Sequence, residues 1–380
     1  MYKSLQVSLI PVERRGEAFF TDPLWAVDLN ASIEQRGGMH LICPVREPTD
    51  SGLTKIDPRA GITSIEDLED GKLRQLLEHS DILEIPGNFG WTTSSVSRRA
   101  LRYSKKYGKV SVLGISSNRA KTSIMNAARS SILAQVKARL RALDIRLTQI
   151  FLARNCSGVR VVGKGLVSLV EGHATSLLVE TASWVSKKNF EIERPREHEP
   201  PRVSLISRLE PMKGVDIGVR AAAKMLRGGE KIELRIAGDG PDRHRLEALV
   251  GDLEISESVH FLGWLSYPND YFSLMRDTDV VALTNLNDEQ PRLIFDAISR
   301  GAIPICPNTN AYSGIGLAPE LLYKQGDVDS LHDALQKAIS MSADAKQDLR
   351  DSLASMADSY TIEEMHLRRD EWYKSLLKRT

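Results

Sequence analysis

A chain of 380 residues is longer than one hydrophobic core ordinarily supports, and 42% hydrophobic with 27% charged residues is an ordinary soluble composition, so two domains are expected. Three cysteines, Cys43, Cys156 and Cys306, are odd in number, far apart and without metal-ligand spacing, which implies neither a disulfide framework nor a zinc site and fits a reducing cytoplasm. No apolar run reaches the roughly 18 residues of a membrane span and residues 1–7 lack a signal-peptide core, so a cytoplasmic chain is expected, neither secreted nor membrane-spanning.

In chain order, residues 5–12, 39–45, 81–85, 110–115 and 159–162 read as strands, and residues 23–35, 72–79, 92–107 and 130–151 as helices. In the last of these Ile132, Val136, Leu140, Leu143 and Leu147 recur at helical spacing. This alternation implies a parallel sheet. Pro11-Val12-Glu13-Arg14-Arg15-Gly16 stands where a Gly-x-Gly-x-x-Gly fingerprint would follow the first strand, which argues against a dinucleotide site there. Three loops after strands are candidates for holding what this half binds: Asn88 and Trp91 in the first, Asn118 and Arg119 in the second, and Lys164 in the third.

The net charge of +1 conceals a segregation. Residues 1–193 hold 27 Lys/Arg against 20 Asp/Glu, and residues 194–380 hold 24 against 30. Within residues 85–170 the count is 16 basic to one acidic. Such a block faces an anionic partner: a membrane surface, a nucleic acid or a phosphorylated substrate.

A Pro-rich stretch at 194–201 reads as the linker between a domain at 1–193 and a second at 202–362, followed by a C-terminal helix at 363–380. The second domain repeats the pattern with short apolar strands at 203–207, 234–237, 259–262, 280–283 and 303–306. In doubly wound sheets ligands bind beyond the carboxyl ends of the strands, and the polar signals fall there. After the first strand, Arg208 and Lys213 stand five residues apart around a turn that ends in Gly214, a pairing of a planar fork and a movable point charge suited to a diphosphate. Gly238-Asp239-Gly240-Pro241 follows the next strand as a tight turn. Trp264 ends another strand where a flat base could lie.

The fourth exit, Thr284 through Ala297, combines a polar loop, Pro291 in a first helical turn, and two spaced carboxylates. Asp288 stays in the loop, and Asp296 lies five residues past Pro291, roughly 7 Å along a helix rising about 1.5 Å per residue toward Gly301. Unpaired N–H groups near Pro291, Arg292 and Leu293 favour an anion, while carboxylates accept from sugar hydroxyls.

Taken together these motifs resemble the nucleotide-binding domain of GT-B glycosyltransferases, in particular the large retaining family of bacterial mannosyl- and glucosyltransferases. That family shows Gly-Arg-Leu-x-x-x-Lys-Gly, Gly-x-Gly-Pro, Phe-x-Gly, and Glu-x7-Glu followed by Ala-x-x-x-Gly-x-Pro. Here they read Ser207-Arg208-Leu209 to Lys213-Gly214, Gly238-Asp239-Gly240-Pro241, Phe261-Leu262-Gly263, Asp288 to Asp296, and Ala297 through Gly301-Ala302-Ile303-Pro304, over roughly residues 202–340. This chain has Asp where both motif glutamates usually stand, and Ser207 for the first glycine.

The resemblance implies an α/β, GT-B fold: two doubly wound Rossmann-like domains facing a cleft, the first binding the acceptor and the second the nucleotide sugar. It implies that Arg208 and Lys213 neutralise the donor diphosphate, Asp296 holds the ribose, and Asp288 holds the sugar with Glu289 beside it. Gly238, Gly240, Trp264 and backbone near Pro291, Arg292 and Leu293 complete the donor side. The expected activity is retaining transfer of a hexose from a nucleoside diphosphate sugar to a glycan or lipid-linked hydroxyl in polysaccharide or glycolipid biosynthesis. Neither cofactor nor metal is called for, since cations already face the diphosphate. The partners expected are the nucleotide sugar, the acceptor and a peripheral contact with an anionic membrane at its inner face, with no nucleic acid. The alternatives are a sugar-nucleotide epimerase of the same fold and a silent GT-B module whose basic face binds a membrane or nucleic acid.

Overall fold

The computed structural model describes residues 2–49, 52–189, 197–290 and 292–379. Residues 194–196 of the expected linker and Pro291 lie outside the described residues. The chain forms two compact units, Met1–Glu180 with Ile362–Thr380, and Thr181–Thr361.

The first unit carries eleven strands among the described residues: β1 (Ser4–Val7), β2 (Val12–Arg15), β3 (Ala18–Thr21), β4 (Met39–Cys43), β5 (Val45–Arg46), β6 (Thr54–Lys55), β7 (Ala60–Ser64), β8 (Ile82–Pro86), β9 (Val110–Ile115), β10 (Gly158–Val162) and β11 (Leu177–Glu180). Seven of them make a parallel sheet in the order β11-β10-β9-β8-β1-β4-β7. β1 pairs on both sides, Leu5 opposite His40 and opposite Leu83. Its helices are α1 (Pro23–Arg36), α2 (Asp70–Glu78), α3 (Ser95–Lys106), α4 (Arg119–Ala127), α5 (Ile132–Asn155) and α12 (Ile362–Leu377). Strands covered by helices are buried on both faces, which is why Ile82-Leu83 and Val110 to Ile115 read as near-continuous apolar runs.

The expected single strand at residues 5–12 is two. β1 ends at Val7, and the chain turns past exposed Ile10 and Pro11 into the antiparallel pair β2–β3 of a small second sheet, ordered β5-β2-β3-β6. Pro11 has no N–H to extend a ladder, and Gly16 at φ 62° makes the hairpin turn.

The C-terminal helix α12 groups with the first unit, and the reason is chemical. Arg369 donates to the Glu180 carboxylate from Nε at 2.6 Å and from Nη2 at 3.0 Å, and Arg160 adds a third contact at 2.7 Å. The Tyr373 hydroxyl donates to Glu84 at 2.7 Å. Burial alone would raise the Glu84 carboxyl, yet Arg36, Arg160 and Arg369 together hold it at about 2.

The second unit is a six-stranded parallel sheet ordered β14-β13-β12-β15-β16-β17, from β12 (Arg202–Ile206), β13 (Glu233–Ala237), β14 (Val259–Gly263), β15 (Val280–Ala282), β16 (Ile303–Pro307) and β17 (Leu322–Tyr323). Helices α6 (Val215–Arg227), α7 (Arg243–Asp252), α8 (Asn269–Arg276) and α9 (Leu293–Ile298) alternate with the strands from β12 to β16, and α10 (Val328–Ser340) and α11 (Ala343–Ala357) follow β17. Both expected doubly wound domains are present, and the second-domain strands fall within two residues of their expected ends.

Candidate functional site

Four strand exits of the second unit are tied together by backbone. After β12, the Ser207 N–H donates to the Ala237 carbonyl at 3.0 Å and the Leu209 N–H to Asp239 at 2.9 Å, and after β13 the Gly238 N–H donates to Gly263 at 2.7 Å. The β15 exit joins from the other side: the Thr284 hydroxyl donates to the Lys213 carbonyl at 2.8 Å, and the Leu286 N–H to Met212 at 2.8 Å. Two glycines permit this closeness. A Cβ on Gly238 would lie 1.9 Å from the Ser207 oxygen, and one on Gly214, whose φ is 60°, would lie 2.4 Å from the Thr284 oxygen.

The tie brings charged groups into one locality. Lys213 is half-buried, and burial pushes its ammonium below the ordinary lysine range; the charge of Glu289 opposes that shift, while Arg208 adds to it. Arg208 itself is 65% exposed at the side chain and pairs with Glu210 at 3.1 Å. Asp288 and Glu289 are partly exposed in the loop beside them. A half-buried cation next to an exposed arginine is a setting that gains from an incoming anion, because attraction to the anion offsets the hydration lost on burial.

Asp296 interacts with Arg292, Tyr271 and Arg300. It is 2% exposed, the Tyr271 hydroxyl donates to its Oδ2 at 2.8 Å, and the Arg292 Nε stands 3.7 Å away. Burial raises its carboxyl, with Arg292 and then the Tyr271 hydrogen bond opposing. Arg292 is in turn stacked over Trp184 at 4.4 Å, with Tyr267 and Tyr271 at 5.6 and 5.8 Å. The helix expected to run toward Gly301 is only the six residues of α9, preceded by Arg292, with Leu293 buried at its start. Trp264, at 70% exposure, stands open after β14, and Gly240 lies within the β13 turn.

Sequence spacing did not single out Tyr271, Trp184 or Gln290. Gln290 is buried and uses both ends of its amide on one residue, accepting from the Ala182 N–H at 2.8 Å and donating to the Ala182 carbonyl at 3.3 Å. Ala182 is 108 positions away, so no local pattern could show the pairing.

In the first unit the acceptor-side candidates sit at strand exits. Asn88 donates to the Ser116 hydroxyl at 2.8 Å, joining the β8 and β9 exits. Trp91 meets Phe151 edge-on at 5.1 Å and carries Arg98 over its ring at 3.7 Å. Asn118 caps α4 by accepting from the Lys121 N–H at 3.0 Å, Arg119 lies over Phe89 at 4.8 Å, and Lys164 is exposed just after β10.

Two doubly wound parallel sheets, the second with polar loops at its strand exits, are the architecture of the GT-B fold. Residues 186–357, within the second unit, match the family model described as Glycosyl transferases group 1. A 2-deoxystreptamine glucosyltransferase of Streptomyces kanamyceticus is 27% identical over 184 residues, 46% of this chain and 45% of that one. Protein CapJ of Staphylococcus aureus is 21% identical over 159 residues, 42% of this chain and 40% of that one. The chain thus spans less than half the length of these curated relatives. Among solved structures, sucrose-phosphate synthase from Thermosynechococcus elongatus superposes with a TM-score of 0.71 at 13% identity, covering 100% of both chains. Anabaena HepE in complex with UDP gives 0.67 at 14% identity, covering 99% of this chain and 100% of that one. At such identities the likeness carries the fold.

Proposed function

We propose that the protein is a glycosyltransferase that moves a hexose from a nucleoside diphosphate sugar to a hydroxyl of a glycan or lipid-linked acceptor, with retention at the anomeric carbon. The observation that carries this reading is the turn bearing half-buried Lys213 and exposed Arg208, to which Thr284 and Leu286 of the loop bearing Asp288 and Glu289 are hydrogen-bonded. In the reaction the donor's anomeric C–O bond to the diphosphate breaks and a bond to the acceptor oxygen forms, while the acceptor proton is released. Arg208 and Lys213 stabilise the negative charge that grows on the departing diphosphate, with no cofactor or metal invoked. Asp288 or Glu289 stabilises the positive charge on the sugar. Retention follows from the family resemblance, and a UDP-sugar is the first donor to try because the HepE complexes hold UDP and UDP-glucose. The basic first unit supports a role at an anionic membrane, in polysaccharide or glycolipid assembly.

A thermal-shift screen against nucleoside diphosphate sugars tests the donor. A ligand at 100 times its dissociation constant stabilises by about 2.7 kcal/mol. Turnover of a radiolabelled hit with acceptor identifies a transferase; isomerised sugar nucleotide without acceptor, or no turnover at all, overturns the reading.

A further inference from the structure

The helix at 130–151 was expected from its apolar spacing, and the structure shows where that spacing points. On α5, Ile132 (81% exposed), Leu133 (64%), Leu140 (63%), Leu143 (55%) and Leu147 (59%) face outward with Val136 and Phe151. The opposite face, with Ala142, Ile145, Thr148 and Leu152, is buried in the first unit. The helix is therefore anchored by one side and presents a second apolar stripe about 29 Å long, taking about 1.5 Å per residue from 132 to 151. Trp91, 43% exposed and in edge contact with Phe151, continues it. A monomeric soluble protein rarely leaves so continuous an apolar surface without use.

Charge decides what covers it. Residues 119–155 hold eight Lys/Arg and a single acid, Asp144, whose carboxylate accepts from the Trp91 N–H at 3.1 Å. Lys137, Arg139, Arg141 and Arg154 lie on the same helix and are all exposed. A second copy docking on this stripe would oppose one set of cations to another. A surface of anionic headgroups over acyl chains matches both features, since long basic side chains keep their charge in the headgroup layer while leucines enter the apolar boundary.

We infer that α5 is an interfacial membrane-binding helix that lies in the plane of an anionic bilayer, with Leu140, Leu143 and Leu147 inserted at its centre. This deepens the membrane part of the reading above and does not rest on the transfer chemistry. Within the basic block at residues 85–170 this places the contact on α5 rather than on α3, where Arg99 pairs with Asp70 at 3.3 Å and Lys105 donates to Asn155 at 2.6 Å.

Flotation with phosphatidylcholine vesicles, with and without phosphatidylglycerol, tests it. The protein should float with the phosphatidylglycerol vesicles, less so as salt rises, and L140S/L147S should weaken binding by more than about tenfold. Both positions are exposed, so circular dichroism and the thermal shift with UDP should match the parent; that UDP readout fails on its own if the donor reading is wrong. Equal flotation with both vesicle types, or binding that ignores L140S/L147S, overturns the inference. So does a concentration-dependent dimer in sedimentation that L140S/L147S abolishes, which would assign the stripe to a second copy.

Discussion

Replacing Gly214 by alanine should unsettle the donor loop through backbone geometry alone. Gly214 has φ 60° and ψ 28°, a left-handed conformation that costs an L-residue about 1–2 kcal/mol. Its new Cβ would lie 2.4 Å from the Thr284 carbonyl oxygen, where real contacts essentially never fall below 3.0 Å, so the two backbones must part by at least 0.6 Å. The Thr284-to-Lys213 and Leu286-to-Met212 hydrogen bonds resist that movement, and losing one or both adds about 1 kcal/mol each. The total is about 2–4 kcal/mol. Gly229 supplies the control, because its φ is 90° and a Cβ there meets nothing within 4 Å, so G229A should cost only the conformational part, about 1–2 kcal/mol. Urea denaturation of both variants, with donor affinity measured alongside, isolates the contact between the loops. If G214A costs no more than G229A and leaves donor affinity intact, the turn after β12 does not position the β15 loop.

If Asp296 holds the ribose and Asp288 the donor sugar, as the resemblance implies, Asp296→Asn should raise the donor Michaelis constant with modest loss of maximal rate, whereas Asp288→Asn should mainly lower the rate, because ribose contacts persist unchanged into the transition state and sugar contacts strengthen there; steady-state kinetics giving the reverse pattern would shift the sugar role to Glu289. The raised Asp296 carboxyl also has a stability consequence. Its ionised form is disfavoured in the folded state, so its contribution declines as pH rises from the ordinary carboxyl range through the raised value; Asp296→Asn should gain stability relative to wild type over that window, and parallel pH–stability curves would refute the burial argument. Arg369→Ala should cost about 3–5 kcal/mol by leaving the Glu180 carboxylate buried without its bidentate partner, and a loss below about 1 kcal/mol in urea denaturation would show that α12 is held by other contacts.

How far the sequence reaches can be seen element by element. The strands β12 to β16 were legible because both faces are covered, which turns each into a short apolar run between turn residues. β7 and β11 escaped: Ala60 to Ser64 is only half-buried, and in β11 Leu177 and Val179 are exposed, so neither carries a core signal. β2 is Val-Glu-Arg-Arg, polar along most of its length. Around the candidate site, the order of glycines and cations was visible because each turn is local. The burial of Asp296 was not, since it depends on Tyr271 and on Trp184 stacked over Arg292, residues that come together only when the sheet forms. Periodicity likewise showed that α5 has an apolar stripe, but not that the stripe faces outward.

Calorimetric titration of UDP and UDP-sugars into the wild-type protein and Lys213→Ala tests the donor assignment most directly. A charge-assisted hydrogen bond contributes about 1.5–3 kcal/mol, so wild type should bind saturably and Lys213→Ala should bind roughly 10- to 150-fold more weakly while remaining as stable to urea. Equal affinity in the two proteins, or no nucleoside diphosphate binding by wild type, would contradict a diphosphate site at Arg208 and Lys213.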